Sequence, residues 1–253
     1  LILFSVAFFC GGVHAQPRGS YGSYYADGIH YRYFYTGKHS YVSAQNTNIK
    51  FAVIPEKIEA EEPTYGYIIP TDISDFKNCR SLQYVMMPST IKEIGGNAFL
   101  NCSSLSAISI SSSSVKIADD AFEGCGNLAV VYLPSGYDAD AFPVAGGLML
   151  VAESRGYDVY VTENVSEEQL NTIEAVSEIT SNIENMESYE QIPEAVRQPL
   201  EKLLQTSYTF KVLSSMDDAV MQAYVEELNA AYEDVCSAVN IPKMKAICEK
   251  YLE

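Results

Sequence analysis

Apolar positions recur every 23 residues through the middle of the chain. Cys79, Cys102 and Cys125 fall at that spacing, as do Leu82, Leu105 and Leu128. Val85, Ile108 and Val131 follow, then Met87, Ile110 and Leu133. Ile94 matches Ile117, Ala98-Phe99 matches Ala121-Phe122, and Phe76 lies one period before Phe99. A third copy starts at Cys125 and is shortened, because Ala141-Phe142 arrives three residues early. Within each copy Val85 and Met87 alternate with their neighbours, which is the period of a strand. The strand ends at Pro88 or Ser111, and Ile94, Ala98 and Phe99 return the chain through a short irregular or helical segment.

A period of 20 to 29 residues opening on Leu-x-x-Val-x-Met reads as a leucine-rich repeat. One copy cannot bury its apolar face alone, so the copies must stack. Stacking sets Leu82, Leu105 and Leu128 in one column and Phe76, Phe99 and Phe122 in another. The cysteines suit a tight buried corner, with a weak hydrogen bond to the turn. The phrases Ala98-Phe99-Leu100-Asn101-Cys102-Ser103-Ser104-Leu105 and Ala121-Phe122-Glu123-Gly124-Cys125-Gly126-Asn127-Leu128 resemble the BspA-type leucine-rich repeat. Ala26-Asp27-Gly28-Ile29-His30-Tyr31 resembles the strand that often opens such proteins. The resemblance runs over roughly residues 26–161 and is best at 75–134. It implies a surface or secreted bacterial binding protein, linked to adhesion, with no catalytic residues to carry over. This chain departs from the pattern in its few copies and in Ser111 to Ser114, which stand where proline is usual.

On either side of the repeats the pattern changes. Gly28 to Tyr35 alternates, Thr36-Gly37-Lys38 is a turn, and His39 to Ala44 is a return strand. This Tyr-rich hairpin serves as a β cap over the open end of the stack. Tyrosine rings also stack on sugars, so a carbohydrate site is the second reading. Ile49–Ile54 and Tyr65–Ile69 are further strands. Asp138 to Ser154 is apolar on one side and predicts a helix, and Tyr157 to Val161 predicts a parallel strand after it. Beyond Thr162 the spacing is helical. Ser166 starts a helix carrying Leu170, Ile173, Val176, Ile179, Ile183 and Met186, and Pro193 opens a second, which Pro199 kinks or re-starts. Asp217 opens a third and Pro242 a last short one. If those two fold back on each other, Cys236 and Cys248 come within pairing reach. The expected fold is α+β: a short leucine-rich repeat solenoid with a β N-cap and an α/β C-cap over 16–161, then an all-α helical bundle over 162–253.

Leu1 to Phe9 is apolar, and Val13-His14-Ala15 offers small residues at both positions a signal peptidase reads. Residues 1–15 therefore read as a secretory signal peptide, with the mature chain starting at Gln16. Lipidation at Cys10 is the rival, against which the large Phe9 counts. No other stretch predicts a membrane span. The formal charge is -17, and Glu163 to Glu253 carries 18 acidic and 6 basic residues, net -12. That excludes nucleic acid as a partner, since phosphate contacts need a basic face.

Chemistry is sparse. His30 and His39 lie nine apart with no nearby cysteine, which is not a zinc arrangement. No nucleophile elbow, Walker loop or dinucleotide fingerprint is present. No enzyme, cofactor or metal is therefore expected. If Val85 and Met87 point inward, the opposite sheet face carries Tyr84 and Met86, then Ala107 and Ser109, then Val130 and Tyr132. Tyr84, Met86, Ser109, Val130 and Tyr132 are the candidate ligand-binding residues, for a protein or glycan at a cell surface. On that reading Tyr84→Ala with Tyr132→Ala removes binding and leaves the melting temperature nearly unchanged. The alternative is a scaffold or assembly protein acting through its acidic helical domain.

Overall fold

The computed structural model describes residues 21–34, 40–59, 67–153, 156–215 and 217–252. Residues 1–15, read above as a signal peptide, Cys10 among them, the expected turn at Thr36–Lys38, and Tyr65 lie outside the described residues. β1 (Tyr21–Ala26) and β2 (Ile29–Phe34) form a hairpin through Asp27 and Gly28. Both turn residues have positive φ, +51° and +78°, as a two-residue hairpin of right-handed twist requires. The strand before Asp27-Gly28 goes beyond the expected two-stranded cap.

From β3 (Ser40–Ala44) onward the chain winds as a flattened coil, touching two sheets in turn. β3, β7 (Asp72–Asp75), β9 (Glu93–Ile94) and β11 (Lys116–Ile117) pair in parallel and continue into β2 and β1. β4 (Phe51–Val53), β8 (Tyr84–Met87), β10 (Ala107–Ile110) and β12 (Val130–Pro134) pair in parallel on the other side. We call these the cap sheet and the repeat sheet. Between β4 and β7 the chain makes a small hairpin of β5 (Ile58–Glu59) and β6 (Tyr67–Ile68). The return segment of each repeat is thus a two-residue strand followed by an irregular run of turns that carries Ala98-Phe99 and Ala121-Phe122.

The core lies between the two sheets. Val85, Ile108 and Val131, with Met87, Ile110 and Leu133, point into it, as the alternation requires. Phe76, Phe99, Phe122 and Phe142 stack with centroids 5.3, 5.3 and 5.2 Å apart. Phe142 completes the column although it arrives early in sequence. The coils also bond to each other at the corner: Phe76 N–H donates to Ala98 O at 2.7 Å, and Phe99 N–H to Ala121 O at 2.8 Å. Backbone groups outside the strands are thereby satisfied. Asn78, Asn101 and Gly124, each just before its cysteine, hold φ of +60°, +60° and +76°. A Cβ on Gly124 would lie 2.6 Å from Asn101 Oδ1, so a side chain there would require the Asn101 side chain to move.

The C-terminal end of the stack corrects the expected α/β cap. Residues 138–154 contain a 3₁₀ turn at Ala139–Ala141 and then β13 (Met149–Glu153), with no α-helix. Gly146 and Gly147, at φ +79° and +76°, break any helical path. β14 (Tyr157–Val161) runs antiparallel to both β12 and β13, so an antiparallel hairpin closes the repeat sheet.

Four helices follow: α1 (Glu167–Glu184), α2 (Glu194–Leu203), α3 (Thr206–Leu213) and α4 (Asp218–Leu252). Ser166 and Gln169 form a reciprocal capping box at the start of α1. Asp217 Oδ1 accepts from Ala219 N–H at 3.0 Å and starts α4. Pro199 lies inside α2 without moving its start. Pro242 lies inside α4, so the expected final short helix is the end of a 35-residue one. Cys236 and Cys248 then sit twelve residues apart on one helix, roughly 18 Å at 1.5 Å per residue. That separation forbids the bridge considered between them in one chain, since bridged Cα atoms lie within about 7 Å. The helices hold their own core, which includes Ile179, Leu200, Leu203, Tyr224, Leu228 and Val235. No helix among the described residues is long and apolar enough to cross a membrane.

Candidate binding face

The outer face of the repeat sheet carries two rows of side chains. Register aligns Phe51, Tyr84, Ala107, Val130 and Val161 in the first. It aligns Val53, Met86, Ser109, Tyr132 and Val159 in the second. Phe51 and Val53 were not singled out from the sequence, although their alternation around Ala52 was the available signal.

The helical segment lies on this face. Phe210 and Leu213 of α3 share one buried cluster with Tyr84, Ala107, Val130, Tyr132, Val159, Val161 and Ile173 of α1. The Phe210 ring sits 4.6 Å from that of Tyr132 and 6.2 Å from that of Tyr84. Burial pushes the hydroxyls of Tyr84 and Tyr132 above the ordinary tyrosine value. Gln169 Nε2 donates to Leu213 O at 2.9 Å, capping α3 from α1. Thr162 Oγ1 donates to Leu128 O at 2.6 Å, tying the segment before α1 to the last repeat. Of the five candidate residues, Tyr84, Val130 and Tyr132 are therefore buried under the chain's own helices. Met86 and Ser109 remain partly exposed, beside Val53 and a 37% exposed Phe51 whose ring stacks on Tyr84 at 4.8 Å.

Two clefts adjoin the helices. One, of about 60 Å³, lies between α1 and the β13–β14 hairpin and is lined by Tyr132, Tyr157, Ser177 and Glu184 among others. The other, about 280 Å³, lies between α1 and α4, with Glu174, Glu178, Asn182 and Tyr232 on its walls. Among the described residues no three His, Cys, Asp or Glu side chains gather as metal ligands.

The repeat cysteines are buried. Cys102 Sγ donates to Phe76 O at 3.1 Å and Cys125 Sγ to Phe99 O at 3.2 Å, one coil back. Contact with the Cys102 thiol and burial push Cys79 up, and contact with Cys125 and burial push Cys102 up to about 12. The Cys102 thiol draws Cys125 down, yet the Cys125 proton is engaged on Phe99 O. Buried thiols with engaged protons are poor nucleophiles.

The outer face of the cap sheet is different. Tyr25 and His30 stack across β1 and β2, with centroids 4.4 Å apart and planes 7° from parallel. His30 Nε2 lies 3.1 Å from Ser23 Oγ, and burial with the Arg32 charge lowers its pKa, so the ring is neutral at pH 7. Arg32 lies over the Tyr41 ring at 5.8 Å, and Phe34 meets the same ring edge-on at 6.0 Å.

Residues 69–141 match the BspA type leucine rich repeat region, in six copies. No curated protein matches the chain. Two solved structures are similar to part of it. A leucine-rich repeat protein from Bacteroides ovatus ATCC 8483 shares 29% identity over 44% of this chain, with a TM-score of 0.38. A leucine rich cell surface protein from Faecalibacterium prausnitzii A2-165 shares 25% identity over 42% of it, with a TM-score of 0.35. The matched part spans 29% of each of those two chains.

Proposed function

The chain carries a BspA-type leucine-rich repeat region over residues 69–141, and from that premise we propose that it is an exported, non-catalytic binding module acting at a cell surface. A solenoid offers an extended sheet for recognition and no chemistry of its own. The Leu1–Ala15 pattern supports export. The observation that carries the choice of surface is the seating of α3 on Tyr84, Ala107 and Val130. It leaves an exposed Phe51 and half-buried Val53, Met86 and Ser109 as the strip of the repeat sheet not fully covered. Tyr84, Val130 and Tyr132 act from beneath, by fixing the helix that borders the strip. Three strands at about 4.8 Å spacing make the strip roughly 10 to 15 Å wide, which suits a short peptide, a glycan or one edge of a larger interface.

The test is a screen of the full chain against arrayed glycans and extracellular matrix proteins, repeated with Met86→Glu plus Ser109→Glu. The expected result is a ligand lost at least tenfold, with circular dichroism confirming that the variant stays folded. Unchanged affinity in the double variant overturns the strip.

A second reading, assembly through the helices, rests on length. α4 has 35 residues, about 52 Å, against 18 residues and about 27 Å for α1. Sedimentation of the full chain against a 240–252 deletion tests this. A full chain that is monomeric and recovers no partner from cell extracts counts against assembly.

A further inference from the structure

We infer that the outer face of the three-stranded cap is a binding platform for an anionic glycan. The sugar rings rest on Tyr25 and Tyr41, and a carboxylate or sulfate is held by Arg32. This goes beyond the strip on the repeat sheet, since the platform lies on the other sheet.

Four observations carry it. The first is exposure without need. Tyr25 and Tyr41 are 37% and 36% exposed, on the face opposite Ile29, Tyr31 and Val42, which serve the core. A cap needs only its inner face to be apolar. Its outer face nonetheless carries Tyr25, Phe34 and Tyr41 together with His30. Such faces present the flat apolar surface that pyranose C–H groups pack on.

The second is the arrangement. Cross-strand register places Tyr25 opposite His30 and Arg32 opposite Tyr41. Tyr25 on β1 and Tyr41 on β3 therefore stand two strand spacings apart, about 10 Å, with Arg32 on the strand between them. That separation calls for at least two linked sugar rings.

The third is the state of Arg32. Its side chain is exposed, and among the described residues it makes no ion pair or hydrogen bond, only the stacking contact with Tyr41. The contact with Tyr41 leaves the guanidinium donors without a partner among the described residues. That fork matches a planar carboxylate or a sulfate.

The fourth is charge. Residues 1–44 contain Arg18, Arg32 and Lys38 against Asp27, a net +2. Since the whole chain is -17, residues 45–253 carry -19. The stretch that presents the aromatic face is thus net cationic within an acidic chain. Asp72, paired with Tyr41 in register, bounds the platform on the side of the repeats, so the anion sits toward β1 and β2.

The experiment is calorimetry of the full chain with oligogalacturonate and with chondroitin sulfate oligosaccharides. Methyl-esterified oligogalacturonate is the neutral control. At least one acidic probe binds, and the methyl ester binds at least tenfold more weakly than oligogalacturonate. Arg32→Gln, and separately Tyr25→Ala with Tyr41→Ala, each weaken binding at least tenfold, with melting temperatures that confirm folding. No binding by either acidic probe overturns the inference, as does binding that survives Arg32→Gln or the double tyrosine variant. If Arg32→Gln instead abolishes self-association in sedimentation, the platform receives the acidic helices of a second copy and the inference fails. A failure here, alongside a ligand lost by Met86→Glu with Ser109→Glu, leaves the proposed function standing.

Discussion

The two sheets of the stack are built from the same coils, yet they meet the outside in opposite ways. The repeat sheet presents Tyr84, Ala107, Val130, Tyr132 and Val161, and α1 and α3 cover most of it. The cap sheet presents Arg32, Asp72, Glu93 and Lys116 along one row of paired residues, and no described helix shares a buried cluster with that row. A repeat therefore specifies its inner residues and leaves the outer ones to decide whether a face binds the rest of its own chain or stays in water. The helical segment is not a separate appendage. It has one core of its own and shares a second with the repeats.

The largest expected effect breaks that comparison outright. A chain ending at Val161 loses α1 and α3 and exposes an apolar row with no charge in it, which is an aggregation surface. Light scattering should show large assemblies. A soluble monomer with native strand content by circular dichroism would mean that the cover contributes little.

Phe210→Ala asks the same question with one side chain. Its ring is fully buried between Tyr84 and Tyr132, so roughly 3 to 5 kcal/mol of stability is expected to be lost in urea unfolding. Tyr41→Ala on the open sheet should change it by about 0.5 kcal/mol or less. Equal losses at the two positions would erase the distinction between the faces.

Alkaline pH sharpens it further. The hydroxyls of Tyr84 and Tyr132 titrate higher in the folded chain than in the unfolded one, because burial disfavours the anion. Below about pH 10 both states keep the proton and stability is constant. Above it the unfolded chain releases protons that the folded chain retains, so stability falls as pH rises. The urea midpoint should decline above about pH 10, and less steeply in Tyr132→Phe. The smallest effect belongs to Ser166→Ala, which removes half of the capping box at the hinge between repeats and helices. About 1 kcal/mol is expected, read as a shift in the same midpoint.

The candidate face was only half legible. Tyr84 and Tyr132 alternate correctly out of the core, but alternation cannot tell an open face from a covered one. A signal was present in β12: Val130, Val131, Tyr132 and Leu133 are apolar without a break, which is the mark of a strand buried on both sides. α3 went unread because eight residues are too few for helical spacing to stand out. The 138–154 segment was misread because its apolar side fits a helix, and the two glycines that forbid one weigh little in a periodicity argument.

The amino-acid pattern by itself determined the 23-residue period, the inward columns of Leu and Phe, the buried cysteines and the helix starts at Ser166 and Asp217. Each is a local property, decided by spacing within one turn or one coil. Tertiary structure alone decided that Phe142 closes the aromatic column and that a hairpin ends the stack. It also decided that α3 lies on the repeat sheet while Tyr25, Arg32 and Tyr41 stay exposed. The seating of α3 depends on apolar surfaces finding each other across roughly 80 to 130 residues of chain, and burial between distant segments leaves no period in the sequence.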